Sequence, residues 1–156
     1  MGKSYKRGYR GNRDKYSVEH TAIVASTSPG TTTSTLIVPQ TSVRGMRKVK
    51  HLTVSLGGQN SVVGPMYWAI VYVPEGYTPQ AFGVPTVENP SVDLYQSNQF
   101  VMACGVMDFD AGPQRISSPL SRNLNSGDSI VLLLRPAVGA ADQLVYGVVK
   151  YAITLQ

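Results

Sequence analysis

The stretch that decides the fold is the last, residues 143–155, "QLVYGVVKYAITL". Val145, Gly147, Val149, Tyr151, Ile153 and Leu155 fall at every second position, with Tyr146, Lys150 and Thr154 between them. A period of two places the first set on one face of a β-strand and the second on the other. The β-branched and aromatic content points the same way, and no helical period of 3.6 competes with it. The spacing predicts a long strand with Val145, Val149, Tyr151, Ile153 and Leu155 facing a core and Lys150 facing away.

Working upstream, the same chemistry recurs in short apolar segments separated by Gly, Pro, Asn and Ser. Seven more strands are expected: 16–25 "YSVEHTAIVA", 33–39 "TSTLIVP", 47–56 "RKVKHLTVSL", 66–73 "MYWAIVYV", 98–107 "NQFVMACGVM", 114–120 "QRISSPL" and 128–135 "DSIVLLLR". No window carries a capped amphipathic helix, and only one short helix or 3₁₀ turn is expected, within 88–97. "SPGTTT", "SLGGQNSVVGP" and "NLNSGD" read as turns. Eight antiparallel strands in one all-β domain suggest a two-sheet jelly roll, residues 16–156. An immunoglobulin-like sandwich is the alternative from pattern alone, but its Cys…Trp…Cys spacing is missing. An OB-fold would leave three of the strands unused.

Trp68, Tyr67 and Tyr72 lie in a strand apolar on both faces, so a core on one side and a cover on the other are expected. The connection 74–97, "PEGYTPQAFGVPTVENPSVDLYQS", has four prolines and no evident strand. Loops of this length are usually functional or interfacial. Tyr77, Phe82, Val84, Val87 and Tyr95 within it are candidate subunit-interface residues. Cys104, the only cysteine, sits in an apolar run and reads as a small buried hydrophobe.

Charge separates the ends of the chain. The formal net charge is +5, and residues 1–15, "MGKSYKRGYRGNRDK", hold six Lys/Arg against Asp14. The remaining residues hold eight cations and eight acids, so the whole excess lies in the opening segment. That segment has no apolar run, so neither a secretory signal nor a membrane interaction is expected. Lys3, Lys6, Arg7, Arg10, Arg13 and Lys15, interleaved with Tyr5 and Tyr9, suit a single-stranded polyanion: cations for phosphates, rings for bases. A purely solubilising tail is the alternative. A second cluster, Arg44, Arg47, Lys48 and Lys50, opens the third strand. There Lys48 and Lys50 share one face while Arg47 and Val49 share the other.

Catalytic machinery is not expected. His20 and His51 belong to no nucleophile–base pattern, and no nucleotide-cradling glycine motif is present. Asp108 and Asp110 in "DFDAG" are a weak Ca²⁺ candidate, better read as bonded to their own turn. No cofactor and no metal are expected.

Three segments resemble the capsid proteins of small circular single-stranded DNA viruses, the circovirus- and nanovirus-like group. They are "MRKVKHLTVSL…MYWAIVYVPEGYTP", "NQFVMACGVMDFDAGPQRISSPLSRNLNSGDSIVLLLRP" and the closing "YGVVKYAITLQ", together spanning about residues 44–156. The resemblance implies a jelly-roll subunit that self-assembles into an icosahedral shell of about sixty copies. It implies a virion location, a single-stranded DNA genome as partner, and an inward-facing basic arm that also engages host nuclear import receptors. The arm here is shorter and poorer in arginine than in that group, so a further cationic surface is expected, with Arg44–Lys50 the candidate. A small RNA virus or satellite capsid would share these features; a carbohydrate-binding jelly roll would need an aromatic–carboxylate groove.

Overall fold

The computed structural model describes residues 16–59, 64–79, 100–137 and 142–155. Nine strands and one 3₁₀ turn run in the order β1 (Ser17–Thr27), β2 (Thr33–Val38), β3 (Arg47–Gly58), β4 (Pro65–Val73), β5 (Phe100–Asp108), the 3₁₀ turn Phe109–Ala111, β6 (Gln114–Ser117), β7 (Arg122–Leu124), β8 (Ser129–Pro136) and β9 (Gln143–Leu155). One sheet has the order β1-β9-β3-β6, with β7 also on β3; the other has the order β2-β8-β4-β5. All pairs are antiparallel. The pairing is nested: first strand with last, second with second-last, third with the β6–β7 segment, fourth with fifth. That is a jelly roll, a long antiparallel ribbon folded over into two facing sheets.

The final strand takes the phase its spacing predicts. Val145, Val149 and Tyr151 are buried in the core, Ile153 packs against it, and Lys150 is exposed. The side chain of Leu155 lies outside the described residues, as does the 88–97 segment. The expected strand 114–120 is instead two short strands separated by residues 118–121. Both β6 and β7 pair with β3, so they share one place in the sheet. Pro119 has no amide hydrogen to give a ladder, and Ser118 N–H bonds to the Leu52 carbonyl at 3.0 Å just before it.

Opposite this break, β3 carries a bulge. Lys50 pairs with Ala152 and Thr53 with Lys150, so β3 uses one residue more than β9 over that interval. The sequence requires it: Arg47 and Val49 face inward at odd positions, whereas Leu52, Val54 and Leu56 face inward at even ones. An unbroken strand would put one set in water. His51 absorbs the extra residue with a φ of 54°, the left-handed region, and is exposed.

The core between the sheets holds Leu52, Val54 and Leu56 of β3, Met66 and Ile70 of β4, Ile130, Leu132 and Leu134 of β8, and the inward face of β9. Gly147 is needed there. A Cβ at that position would stand 2.6 Å from the Leu56 side chain and 2.8 Å from the Ser55 carbonyl oxygen. The second sheet is also buried on its far face, where Ala69, Val71, Val73, Val131 and Leu133 cluster with Tyr67 and Val101 against them. This explains why β4 and β8 read as continuous apolar runs. Trp68 and Tyr72 pack on the core side, so the expectation of two covered faces for β4 holds.

One expectation is corrected. Cys104 is exposed, not buried. It pairs with Ala69, on the face away from the core, but β5 is the edge strand of its sheet among the described residues.

The bulge makes a prediction. A left-handed backbone costs an ordinary residue about 1–2 kcal/mol and a β-branched one more. His51→Val is therefore expected to lower unfolding stability by about 2 kcal/mol, with His51→Gly within about 1 kcal/mol of the parent. Denaturant melts of the three proteins test this; equal midpoints would mean the phase change is absorbed elsewhere.

Candidate nucleic-acid interface and assembly surface

The nested pairing gathers distant residues at one end of the first sheet. Ser17 pairs with Ile153, Ile153 with Val49, and Val49 with Arg122, forming one row across β1, β9, β3 and β7. Three strand spacings cover about 14 Å. β1 begins at this row, with Tyr16 just before it beside Lys50; residues 1–15 lie outside the described residues.

The four residues of the Arg44–Lys50 cluster separate. Lys48 and Lys50 do share a face and are half-buried, while Arg44 is exposed. The Lys50 ammonium lies 4.7 Å from the centre of the Tyr16 ring, a cation–π contact that holds the start of β1 against β3 across β9. Arg47 is the correction. It is only 8% exposed, and its guanidinium donates to the carbonyls of Pro39 at 3.0 Å and Asp128 at 3.2 Å. Its inward position on β3 turns it into a tie between chain segments, so it is not a surface phosphate ligand.

Asp128 is the centre of that end of the sandwich, although in the sequence it is only one polar residue of a turn. It is buried, and its carboxylate accepts from the Tyr72 hydroxyl at 2.7 Å, the Asn125 amide at 2.8 Å and the Glu75 amide at 3.1 Å. The turn before it is closed by Gly127, whose φ is 84° and whose amide donates to the Thr41 carbonyl at 3.0 Å. Burial first, then the hydrogen bond to Asp128 and that carboxylate's charge, push the Tyr72 phenol up to about 12, against a smaller opposing pull from Arg122.

Tyr72 in turn seats a cation. The Arg122 guanidinium lies 4.3 Å from the Tyr72 ring centre and 5.4 Å from that of Phe100, and the two rings meet edge to face at 5.5 Å. Phe100 remains 47% exposed. Beside this stack is an open groove of about 380 Å³ lined by Lys48, Tyr72, Ser121, Arg122 and Asn123. Sequence reading finds Lys48 and misses Arg122, which stands 74 positions beyond it and reaches the groove through the pairing of β3 with β7; it also misses Phe100, which meets Arg122 and Tyr72 through the pairing of β4 with β5.

A second surface is apolar. On the outer face of the first sheet, Val24 pairs with Tyr146, Ala22 with Val148, Val18 with Ala152 and Ser26 with Leu144. Val24 is 59% exposed, Tyr146 46% and Val148 49%, with Val18 and Leu144 also open. Of the expected interface residues, Tyr77 is exposed and borders a small crevice with Val71 and Val73. Phe82, Val84, Val87 and Tyr95 lie outside the described residues, as do Lys3, Tyr5, Lys6, Arg7, Tyr9, Arg10, Arg13 and Lys15 of the arm.

The other candidates resolve simply. Asp108 accepts from the Asp110 amide at 2.9 Å, capping the 3₁₀ turn. Among the described residues no three His, Cys, Asp or Glu side chains gather in a metal-binding group, and no helix is long and apolar enough to cross a membrane.

No protein-family profile matches the chain, and no curated protein does. Among solved structures, the chain is similar to one of infectious bursal disease virus, Gt strain, at 13% identity and a TM-score of 0.21. That match covers all of this chain and 45% of the viral one, so the chain spans less than half the length of its neighbour. The fold assignment rests on the strand topology.

The Tyr72–Asp128 bond can be tested by pH. The folded phenol keeps its proton to about 12, whereas an unfolded one ionises near 10. The folded state therefore binds more protons in this window, and its stability falls as pH rises from 10 towards 12. Denaturation midpoints should drop more steeply there for the parent than for Tyr72→Phe. Parallel slopes would show that burial and Asp128 together do not raise the phenol above its ordinary range.

Proposed function

We propose that this chain is the subunit of a closed viral shell and that it packages single-stranded DNA by sequence-independent electrostatic binding. The observation that carries this reading is the apolar stripe of Val24, Leu144, Tyr146 and Val148 on a sheet face with open solvent beyond it. Contiguous exposed apolar patches of this kind mark interaction sites. A jelly-roll body with balanced charge can approach copies of itself without strong repulsion, and the cations held apart in residues 1–15 are left for a polyanion. Copies related by rotation close into a shell when head-to-tail contacts repeat around symmetry axes. The exposed Tyr77 loop is a second contact of that kind, and assembly in a host nucleus, with import receptors reading the basic arm, completes the proposal.

Electron microscopy and sedimentation of the purified protein test assembly. Closed particles are expected for the parent. Val148→Lys is expected to give folded, unassembled subunits, because it places a charge in the stripe at a position that is exposed in the single chain. A parent protein that stays monomeric at high concentration, with and without nucleic acid, would refute the shell.

The cargo is tested by deleting residues 2–15. Packaged nucleic acid should fall, and the slope of log affinity against log salt should shallow by about 0.7 for each phosphate that the arm neutralises in the parent. Sensitivity of the cargo to deoxyribonuclease but not ribonuclease is expected; the reverse would make the partner RNA. Equal cargo with and without the arm would move packaging to the Lys48–Lys50 surface.

A further inference from the structure

The groove beside Lys48 and Arg122 takes no part in the apolar stripe, yet its side chains are held in place from beneath, where Tyr72 packs on the core. We propose that it is a stacking site for one nucleotide of a single-stranded nucleic acid, with the phosphate on Lys48 and the base against the Arg122–Phe100 pair. This rests on the packaging reading and adds a defined position to it.

Several features converge. All five lining residues are cationic or neutral and polar, so the groove suits an anion. Arg122 is positioned by Tyr72, which is itself fixed by the buried Asp128, so the cation is placed before any ligand arrives. Phe100 stands half-exposed beside that cation, an aromatic surface that burial has not used. Arg and aromatic side chains together stack any base, because every base has a π-face. Asn123 and Ser121 add hydrogen-bonding groups at the rim. Arg122 also stands in the same strand row as Ser17, at the start of β1.

The chemistry favours a single strand over other polyanions. A sulfated glycan would use Lys48 and Arg122 and leave Phe100 idle. In a duplex the base faces are already stacked on one another, so a duplex offers only phosphates.

The test uses the full chain and two fluorescent probes of equal length, an oligothymidylate and an abasic deoxyribose-phosphate strand, with binding followed by anisotropy at fixed salt. Phe100→Ala is expected to weaken oligothymidylate binding about tenfold and leave the abasic strand unchanged. Phe100→Trp should restore it, and circular dichroism checks that each variant keeps its sheets. Lys48→Gln should weaken both probes alike and lower the salt slope by about 0.7. If Phe100→Ala binds both probes as the parent does, the groove is not a stacking site, whatever the arm contributes. If the parent binds neither probe, the packaging reading fails and the groove with it. If the parent binds both probes equally, packaging stands and the stacking site alone is overturned.

Discussion

A carboxylate buried in the interior is costly unless its oxygens are fully occupied, and Asp128 meets that condition with three donors from two separate segments. Tyr72 comes from β4, Glu75 from the chain just beyond it, and Asn125 from the turn before β8. Arg47 adds its guanidinium to the Asp128 carbonyl from the facing sheet. Both sheets are thereby pinned at one end of the sandwich, where apolar packing alone would leave their relative slide undetermined. Removing the carboxylate would orphan its donors, each worth about 1–3 kcal/mol if left unsatisfied in the interior. The stack of Arg122 on Tyr72 and Phe100 stands on this base.

The two sheets share a core but have different outer faces. The sheet of β2, β8, β4 and β5 is buried on both sides along its central strands, β8 and β4, which are therefore apolar throughout. The sheet of β1, β9, β3 and β6 is buried on one side only, and its outer face still carries valines, a leucine and a tyrosine. A monomer draws no stability from such a face. Its place on β1 and β9 also matters for folding: the first and last strands pair across more than a hundred residues, a costly loop to close, and the intrinsic rate should be slow.

Chain entry, cationic groove and inter-sheet tie all fall at the same end of the molecule, while the apolar stripe lies on the flat of one sheet. In the proposed shell these are separate tasks: the stripe meets another copy and the groove end meets the strand. The separation allows each to be altered without the other, since Val148 and Phe100 lie on different sheets.

Residues 143–155 determined the fold class by themselves, because a strand with one buried face must alternate, and Val145, Val149, Tyr151 and Lys150 could take only one phase. The two-sided burial of β4 was legible for the related reason that its run does not alternate. Charge segregation was legible too, since it needs only counting. What the sequence could not decide was anything set by residues far apart along the chain. The bulge at His51 is written in the shift from Val49 to Leu52, but only the partner strand shows which residue is squeezed out. Cys104 has apolar neighbours along the chain and so reads as buried, whereas an edge strand has no neighbour on one side. Arg47 reads as a ligand because arginine is usually at the surface, and only the carbonyls of Pro39 and Asp128 could draw it in. The groove belongs to the tertiary structure entirely. Lys48, Tyr72 and Arg122 share no local pattern, and a site whose members are brought together by nested antiparallel pairing leaves no spacing in the sequence to be read.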